Sequence, residues 1–203
     1  MKRVASRLAK AGVSPNAISV SSSVFAVCAG ISFAGTSCPH TAHPSLWWVI
    51  GAALIVMRLL ANMFDGMVAI ERDVASPVGE LYNEVPDRFS DVAILVGAGY
   101  GAGGSVTLGL WAAVLAVGVA YVRAMGVAAG AGQTFEGPMA KPHRMWVVIV
   151  AAIGSAVFPQ CASSGSVGCG MGLMACALLL IIIGCLVTIV RRLGRISREL
   201  RRS

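Results

Sequence analysis

Acidic residues are concentrated in one stretch of this otherwise apolar sequence. Residues 62–91 contain seven of the chain's nine acidic side chains: Asp65, Glu71, Asp73, Glu80, Glu84, Asp87 and Asp91. Charged groups within apolar surroundings are costly and usually functional. Carboxylate and amide oxygens are also the ligands that Mg²⁺ and Mn²⁺ prefer. The stretch therefore predicts a divalent-cation site built from oxygen ligands.

The spacing of the polar residues in this stretch predicts two facing helices. Asn62, Asp65 and Ala69 fall on one helical face. The next helix carries a stripe at intervals of four residues, made of Gly79, Asn83, Asp87 and Asp91. Two antiparallel helices joined by the short loop 71–78 would turn these faces toward each other. Small residues on the two faces leave room beside the metal for a flat or bulky group: Gly66, Ala69 and Gly79.

The composition of the chain is that of a membrane protein. Hydrophobic residues make up 57% of the 203 residues, charged residues make up 12%, and the mean hydropathy is +0.79. A soluble domain carries about 25% charged residues. Three segments contain no charged residue, 11–57, 92–122 and 145–190, and each has a polar or glycine-rich centre that predicts a turn. Because a spanning helix needs about 20 apolar residues, we expect three helical hairpins.

We therefore predict an all-α integral membrane protein with six transmembrane helices. The predicted spans are 17–35, 46–70, 79–99, 105–127, 144–159 and 170–190. The basic residues then place both termini and the acidic stretch in the cytoplasm. We expect a multi-pass protein of the cytoplasmic (inner) membrane, with its site facing the cytoplasm. The net charge of +7 reflects topology and contact with anionic headgroups, and no folded soluble surface is left to bind nucleic acid.

Both ends of the chain are basic. Residues 1–13 predict an N-terminal amphipathic helix on the membrane surface. Residues 191–203 predict a basic cytoplasmic tail, and the whole chain, 1–203, is expected to form a single membrane domain. We do not expect the first span to be cleaved as a signal peptide, because the later spans keep their charge pattern only if it stays. Disulfide formation is left open among the cysteines that would face outward: Cys38, Cys161 and Cys169.

The acidic stretch resembles the signature of the CDP-alcohol phosphatidyltransferase family. That signature runs Asp, two residues, Asp-Gly, two residues, Ala-Arg, eight residues, Gly, three residues, Asp, three residues, Asp. This chain reads Asn62, two residues, Asp65-Gly66, two residues, Ala69-Ile70, eight residues, Gly79, three residues, Asn83, three residues, Asp87. Every spacing matches. Three further stretches are similar to the family, 14–19, 120–130 and 137–145, and the second of them resembles its inositol-phosphate branch.

The chain departs from this signature at three positions. Asn62 and Asn83 stand where the family has aspartate, and Ile70 stands where it has arginine. An asparagine offers a carbonyl oxygen to a metal but no charge. Glu84 and Asp91 lie next to the signature residues and could restore charge. The pattern resembles a bacterial subgroup with asparagine at both positions.

Two residues near the stretch carry structural predictions. Pro86 removes one helical hydrogen bond, and we expect a kinked but continuous helix there. The alternative is a helix that begins at Pro86 and leaves Asn83 in a loop. Arg58 lies within a predicted span about two turns before Asp65, where we expect it to form an ion pair or hydrogen bond inside the bundle.

The resemblance implies an enzyme of phospholipid biosynthesis. The family transfers a phosphatidyl group from CDP-diacylglycerol to an alcohol and releases CMP, with Mg²⁺ or Mn²⁺ as cofactor. Its metal ligands correspond here to Asn62, Asp65, Asn83 and Asp87. Its CDP-binding residues correspond to Asn62, Asp65, Gly66, Ala69, Gly79 and Asn83. Asp87 matches the family's general base, with Asp91 as the reserve candidate. The implied partners are the lipid bilayer and a second copy of the chain in a homodimer.

A second basic cluster predicts where the acceptor alcohol binds. Arg123, Lys141, His143 and Arg144 could hold an acceptor phosphate or another anion. As determinants of topology they would need no ligand. The acceptor is left open between glycerol phosphate, inositol phosphate, a free amino alcohol and another lipid head group. The likeness of 120–130 to the inositol-phosphate branch slightly favours a phosphorylated acceptor.

Three other functions are left open. The two asparagines motivate a catalytically reduced relative that binds nucleotide-lipid or metal without turnover. An acidic stripe could instead line the path of a small cation transporter, although the acids cluster at one membrane face. A structural membrane anchor would not need the signature spacing at all.

Overall fold

The computed structural model describes residues 15–71, 77–132, 137–162 and 171–201, with side chains at 17–68, 84–132, 137–160, 162 and 171–201. These ranges form six α-helices and one short 3₁₀ helix, and they contain no β-strand. The helices are α1 (Pro15–Gly35), α2 (Pro44–Glu71), α3 (Pro77–Tyr100), α4 (Val106–Ala128), α5 (Lys141–Val157), the 3₁₀ helix (Pro159–Ala162) and α6 (Leu173–Leu200). The predicted all-α class is confirmed. The predicted surface helix at 1–13 lies outside the described residues.

Each predicted span coincides with one of these helices, and the helix ends differ from the prediction by at most three residues except at the end of α6. That helix continues to Leu200, ten residues beyond the predicted span. Arg192 and Ile196 are buried on its continuing face, which packs against the bundle. Most of the segment predicted as a basic tail is therefore the last part of α6.

Within the described ranges, four helices are long and apolar enough to cross a membrane by length and composition: Ala17–Gly35, Pro44–Val68, Val106–Ala128 and Leu173–Leu200. Helix α3 is also long, with 24 residues, but it contains four acidic residues of the stretch: Glu80, Glu84, Asp87 and Asp91. Helix α5 has 17 residues. A chain with four such helices is a membrane protein, because a soluble fold of 203 residues could not keep this much apolar helix surface away from water.

Helix α1 packs against both α2 and α3, and this contact brings the two halves of the acidic stretch together. The backbones of α1 and α3 approach closely where Gly30 faces Gly97. A Cβ atom added at Gly97 would lie 2.3 Å from the carbonyl oxygen of Gly30, so no side chain fits there. Small residues at a helix crossing allow such an approach in membranes. Helix α4 continues the bundle from α3 to α6, and α5 packs against α2 and α6.

Helix α3 is continuous through Pro86, as predicted. The backbone at Asn83 is therefore helical and not part of a loop. This matters for the site because Asn83 and Asp87 then keep the one-turn separation that places them on one face. At Asn83, Ala69 and Gly79 the structure describes only the course of the backbone.

The segment before α5 is fixed by a contact with α6. Gly137 has φ of +125°, and an added Cβ would lie 2.4 Å from the methyl group of Thr188. The hydroxyl of Thr188 accepts a hydrogen bond from the backbone N–H of Met139 across 3.0 Å and donates to the carbonyl of Gly184 across 2.7 Å. This anchoring sets the start of α5, where Lys141 and Arg144 lie.

Candidate active site

Asp65 is held in place by two donors. The hydroxyl of Ser19, on α1, donates to Asp65 Oδ2 across 2.8 Å, and the backbone N–H of Gly66 donates to Oδ1 across 2.6 Å. The residue is only 3% exposed. Since the two hydrogen bonds use one lone pair on each oxygen, both oxygens keep capacity for a further ligand.

Asn62 connects α1 to Asp87. The hydroxyl of Ser22 donates to Asn62 Oδ1, and Asn62 Nδ2 donates to Asp87 Oδ1 across 2.6 Å. The amide orientation follows from chemistry, because an ionised carboxylate only accepts hydrogen bonds and the NH₂ group must therefore face it. An aspartate at position 62 could not make this bond to Asp87.

Asp87 is bound by cations on both of its oxygens. Arg58 Nη2 lies 3.3 Å from Oδ1, and the ammonium of Lys141 contacts Oδ2. Arg58 also lies 3.4 Å from the backbone carbonyl of Asp87. The predicted bundle-internal ion pair of Arg58 is therefore present. With three donors around it, the carboxylate of Asp87 is held in one orientation.

Asp91 lies behind Asp87 in a buried ion-pair network. Arg58 Nη2 lies 2.7 Å from Asp91 Oδ1, and Arg144 Nη2 lies 2.7 Å from Oδ2. Asp91 and Arg144 are each 1% exposed, and Arg144 also donates to the carbonyl of Met139. Buried charges of this kind are tolerated only when paired. Since the side chain of Asp87 is 10% exposed and that of Asp91 only 1%, this geometry favours Asp87 over Asp91 for proton transfer.

A cavity of about 210 Å³ opens beside Asp87. Its described lining carries five cationic side chains against the carboxylates of Glu84 and Asp87, an excess of three positive charges. Four helices contribute these cations, among them Arg88, Arg123, Lys141 and Arg192. A cavity with this charge attracts an anion.

Three of the four predicted acceptor residues line this cavity: Arg123, Lys141 and Arg144. Arg144 is buried and binds Asp91 and Met139, whereas Arg123 and Lys141 are 24% and 22% exposed and are therefore the more accessible pair. The fourth, His143, is exposed and is not among the described lining residues.

Sequence reasoning missed two parts of this arrangement. The serines of α1 that hold Asp65 and Asn62 were not singled out, although their spacing in an apolar span, Ser19 and Ser22, was a visible signal. Arg192 was assigned to the tail, yet it is buried and donates to the carbonyl of Val119 across 2.9 Å. Its spacing of four from Thr188 and Ile196, both buried, would have placed it on the inner face of α6.

The donors at this site are oxygens. Among the described residues, no three His, Cys, Asp or Glu side chains form a cluster that could hold a metal ion. Asparagine stands at positions 62 and 83, and it offers an amide oxygen in place of a carboxylate. The carboxylates of Asp65 and Asp87 and the amide oxygen of Asn62 are nevertheless the ligand type that Mg²⁺ and Mn²⁺ prefer. Gly66 adds open space, since a Cβ there would meet no atom within 4 Å.

The sequence matches a family profile over most of its length. The profile of CDP-alcohol phosphatidyltransferase covers residues 13–190, which include every residue that lines the cavity except Arg192. The family resemblance drawn from the signature spacing is confirmed. No curated protein matches this chain in sequence.

Solved structures of one bacterial enzyme share the fold. Phosphatidylinositol phosphate synthase from Mycobacterium tuberculosis, in complex with manganese and citrate, superposes with a TM-score of 0.77 at 20% identity, covering 97% of this chain and 88% of that one. The same enzyme with CDP-DAG bound gives a TM-score of 0.76 at 21% identity, covering 96% and 92%. Its apo form gives a TM-score of 0.66 at 22% identity, covering 93% of this chain and 95% of that one. At identities this low, the structural likeness shows the fold alone.

Proposed function

The chain belongs to the CDP-alcohol phosphatidyltransferase family, and we propose that it transfers a phosphatidyl group from CDP-diacylglycerol to an alcohol with release of CMP. One observation carries this proposal. Asp65 and Asp87 stand at signature positions on α2 and α3, and each is held by a polar side chain: Ser19 donates to Asp65, and Asn62 donates to Asp87, which lines a cationic cavity. The similar fold of an enzyme solved with CDP-DAG bound supports the choice of lipid substrate.

The proposal includes a place in the membrane. All six helices cross the cytoplasmic (inner) membrane, with both termini and the site on the cytoplasmic side. The distribution of Lys and Arg supports this orientation. A lipid substrate also requires a site that its acyl chains can reach from the bilayer. The assembly we propose is a homodimer, as the family resemblance implies.

The donor side of the site comprises Asp65, Asn62 and Gly66, together with Ala69, Gly79 and Asn83 at the remaining signature positions. Asp65, Asp87 and the two asparagines would hold Mg²⁺ or Mn²⁺, and the manganese complex of the structurally similar enzyme supports this assignment. When bound, the metal ion neutralises the diphosphate and polarises its oxygens. Ser19 and Ser22 orient these ligands from α1.

Asp87 is the general base of the proposed reaction. Its carboxylate lines the cavity and accepts the proton of the acceptor hydroxyl. The acceptor oxygen then forms a bond to the phosphorus that carries diacylglycerol, and the bond from that phosphorus to the CMP oxygen breaks. Arg58, Lys141 and Asn62 keep the carboxylate oriented toward the cavity throughout. Asp91 acts indirectly, by fixing Arg58 and Arg144.

The acceptor in this proposal is an alcohol that also carries an anionic group. The excess positive charge of the cavity supports this class, with Arg123 and Lys141 as its contacts and Arg144 at the buried wall. Exposed His143 lies beside Lys141 and would contact the acceptor only at the cavity mouth. An amino alcohol without an anionic group, whose amine is protonated at neutral pH, would leave the cavity cations without a counter-charge.

The test is CMP release by the purified protein in detergent. It receives CDP-diacylglycerol, Mg²⁺ or Mn²⁺, and a panel of alcohols with and without phosphate. Asp87→Asn is the inactive variant, and Glu199→Gln, on an exposed turn of α6, is the matched control for loss of one carboxylate. Acceptor-dependent CMP release that Asp87→Asn abolishes and Glu199→Gln retains supports the transferase.

A second candidate is a catalytically reduced relative, which Asn62 and Asn83 motivate. Binding of CDP-diacylglycerol without CMP release from any acceptor would favour it. A cation transporter has weaker support, because the carboxylates of Glu84, Asp87 and Asp91 are each paired with arginine or lysine.

A further inference from the structure

Glu84 lies in the cavity but is not part of the family signature. It precedes Asp87 by three residues on α3, and both side chains line the same cavity. The side chain of Glu84 is 39% exposed, whereas that of Asp87 is 10% exposed. Glu84 is therefore the more accessible of the two carboxylates.

Two arginines converge on this carboxylate. Arg123 Nη2, from α4, lies 2.5 Å from Glu84 Oε1, and Arg88 Nη2, from α3, lies 2.8 Å from Oε2. Each arginine therefore binds a different oxygen. Guanidinium groups bind phosphate oxygens with the same N–H donors that they use for carboxylates. The carboxylate of Glu84 thus lies where an anionic ligand of this cavity would meet both arginines.

The ion pairs of Glu84 are weak enough to exchange. Its two arginine partners are 22% and 24% exposed, and ion pairs that water reaches contribute little. A phosphate monoester carries close to two negative charges and three strong acceptor oxygens, against one charge and two oxygens for a carboxylate. Such a group can replace Glu84 between Arg88 and Arg123, whereas a neutral alcohol gains nothing from doing so.

We propose that Glu84 is a specificity-determining residue, whose carboxylate occupies the anion position between Arg88 and Arg123 until a phosphate monoester displaces it. The inference rests on the proposed function for the identity of the cavity as the acceptor site. In this arrangement Glu84 keeps the arginines together and neutralised when no acceptor is bound. It also raises the concentration of phosphate needed to fill the cavity, so monoanionic and neutral alcohols are excluded.

The test is the binding of inorganic phosphate by the full chain in neutral detergent without added phospholipid. Binding is followed as the rise in thermal unfolding midpoint with phosphate concentration, at constant ionic strength. Glu84→Gln, which keeps the shape and removes the charge, should bind phosphate about tenfold more tightly than the unaltered protein. Glu84→Asp withdraws the carboxylate by one methylene group. Its affinity for phosphate should lie between those of the unaltered protein and Glu84→Gln.

Matched variants separate this effect from a general change in charge. Glu199→Gln removes a carboxylate of similar exposure, 36%, that is also paired with an arginine four residues away, and it should leave phosphate binding unchanged. Adding Arg123→Gln to Glu84→Gln should abolish the gain. The inference is overturned if Glu84→Gln binds phosphate no more tightly than the unaltered protein, or more weakly. It is also overturned if no variant binds phosphate.

Two further measurements keep the inference distinct from the proposed reaction. Phosphate binding is measured without CDP-diacylglycerol, so a gain in Glu84→Gln stands even if no acceptor yields CMP. Conversely, CMP release with unchanged phosphate binding would sustain the transferase and reject the role of Glu84. Repeating the titration in phosphatidylcholine nanodiscs, with and without phosphatidic acid, tests a lipid source of the phosphate group. Competition by phosphatidic acid would indicate a headgroup, and its absence a soluble phosphate monoester.

Discussion

The side-chain amide of Asn62 donates a hydrogen bond to Asp87 across 2.6 Å. Ser22 fixes the same amide from the other side by donating to its oxygen. At a position where the family signature has aspartate, this chain thus uses a neutral group that supports the neighbouring carboxylate. The substitution replaces a repulsion between two carboxylates with an attraction.

Restoring aspartate at position 62 should make the fold depend on metal. Asn62→Asp removes a donor to a charged acceptor, worth about 1.5–3 kcal/mol, and places two carboxylates together. We expect a lower thermal unfolding midpoint in EDTA, and recovery of that loss on addition of Mn²⁺. Asn62→Ala, which removes the donor without adding charge, should lose stability but recover little with Mn²⁺. Equal midpoints for Asn62→Asp with and without Mn²⁺ would contradict this account.

The serine that binds Asp65 should tune the affinity for metal. Ser19→Ala removes the hydrogen bond to Asp65 Oδ2, and loss of such a supporting contact weakens metal binding by about 10–100-fold. Mn²⁺ affinity is measured by titration calorimetry. Ser21→Ala is the control on the same helix, because the Ser21 hydroxyl bonds only the local carbonyl of Ala17 and is exposed. Similar Mn²⁺ affinities for the two variants would count against a role for Ser19.

Asp91→Asn should affect stability more than chemistry. It leaves Arg58 and Arg144 buried beside a neutral group, which costs about 3–5 kcal/mol. We expect a large drop in the unfolding midpoint in detergent. Combining Asp91→Asn with Arg144→Met should cost less than the sum of the two single changes, because the second change removes an unpaired charge. Additive costs would show that the two residues are not coupled.

Lys141→Met should reduce turnover without unfolding the protein. The ammonium group contacts Asp87 Oδ2 at the cavity, and a charge-assisted contact of this kind contributes about 1.5–3 kcal/mol. We expect kcat/KM for CMP release to fall by about 10–100-fold. Arg191→Met, an exposed residue of α6, is the control for loss of one positive charge and should keep full activity. Retained activity in Lys141→Met would show that Lys141 does not contribute to CMP release.

Gly97→Ala should destabilise the bundle at the crossing of α1 and α3. The added methyl group would lie 2.3 Å from the carbonyl oxygen of Gly30, so α1 and α3 must separate. Overpacking of this kind costs about 1–3 kcal/mol. The control is Gly194→Ala on α6, where an added Cβ meets nothing within 4 Å. Equal unfolding midpoints for the two variants would mean that the helices do not meet as described.

The sequence predicted the parts of this site that depend on spacing along one helix. The positions of Asp65 and Asp87, the continuity of α3 through Pro86, and an internal partner for Arg58 all follow from helical periodicity and from the cost of buried charge. The charge-free segments and their polar centres likewise indicated where the helices of the described residues lie, with ends within three residues of the prediction except at the end of α6.

Contacts between helices distant in sequence could not be predicted in this way. The pairing of Glu84 with Arg123 joins residues 39 apart, and the bond from Ser19 to Asp65 joins residues 46 apart. Such pairs depend on the rotation of each helix about its axis, and in an apolar span hydropathy hardly constrains that rotation. Arg192 illustrates the same limit, because its charge suggested a solvated tail while its position on the inner face of α6 buries it.

The close contact between Gly30 and Gly97 is a point about which α1 can tilt relative to α3. Ser19 lies eleven residues from Gly30, a distance of about 16 Å along the helix axis. A tilt of about 5° around the crossing would move Ser19 by about 1.4 Å, enough to break its 2.8 Å bond with Asp65. The same tilt would scarcely change the separation of the two glycines. A small tilt of α1 would thus change the distance between Ser19 and Asp65, while the contact between Gly30 and Gly97 would stay in place.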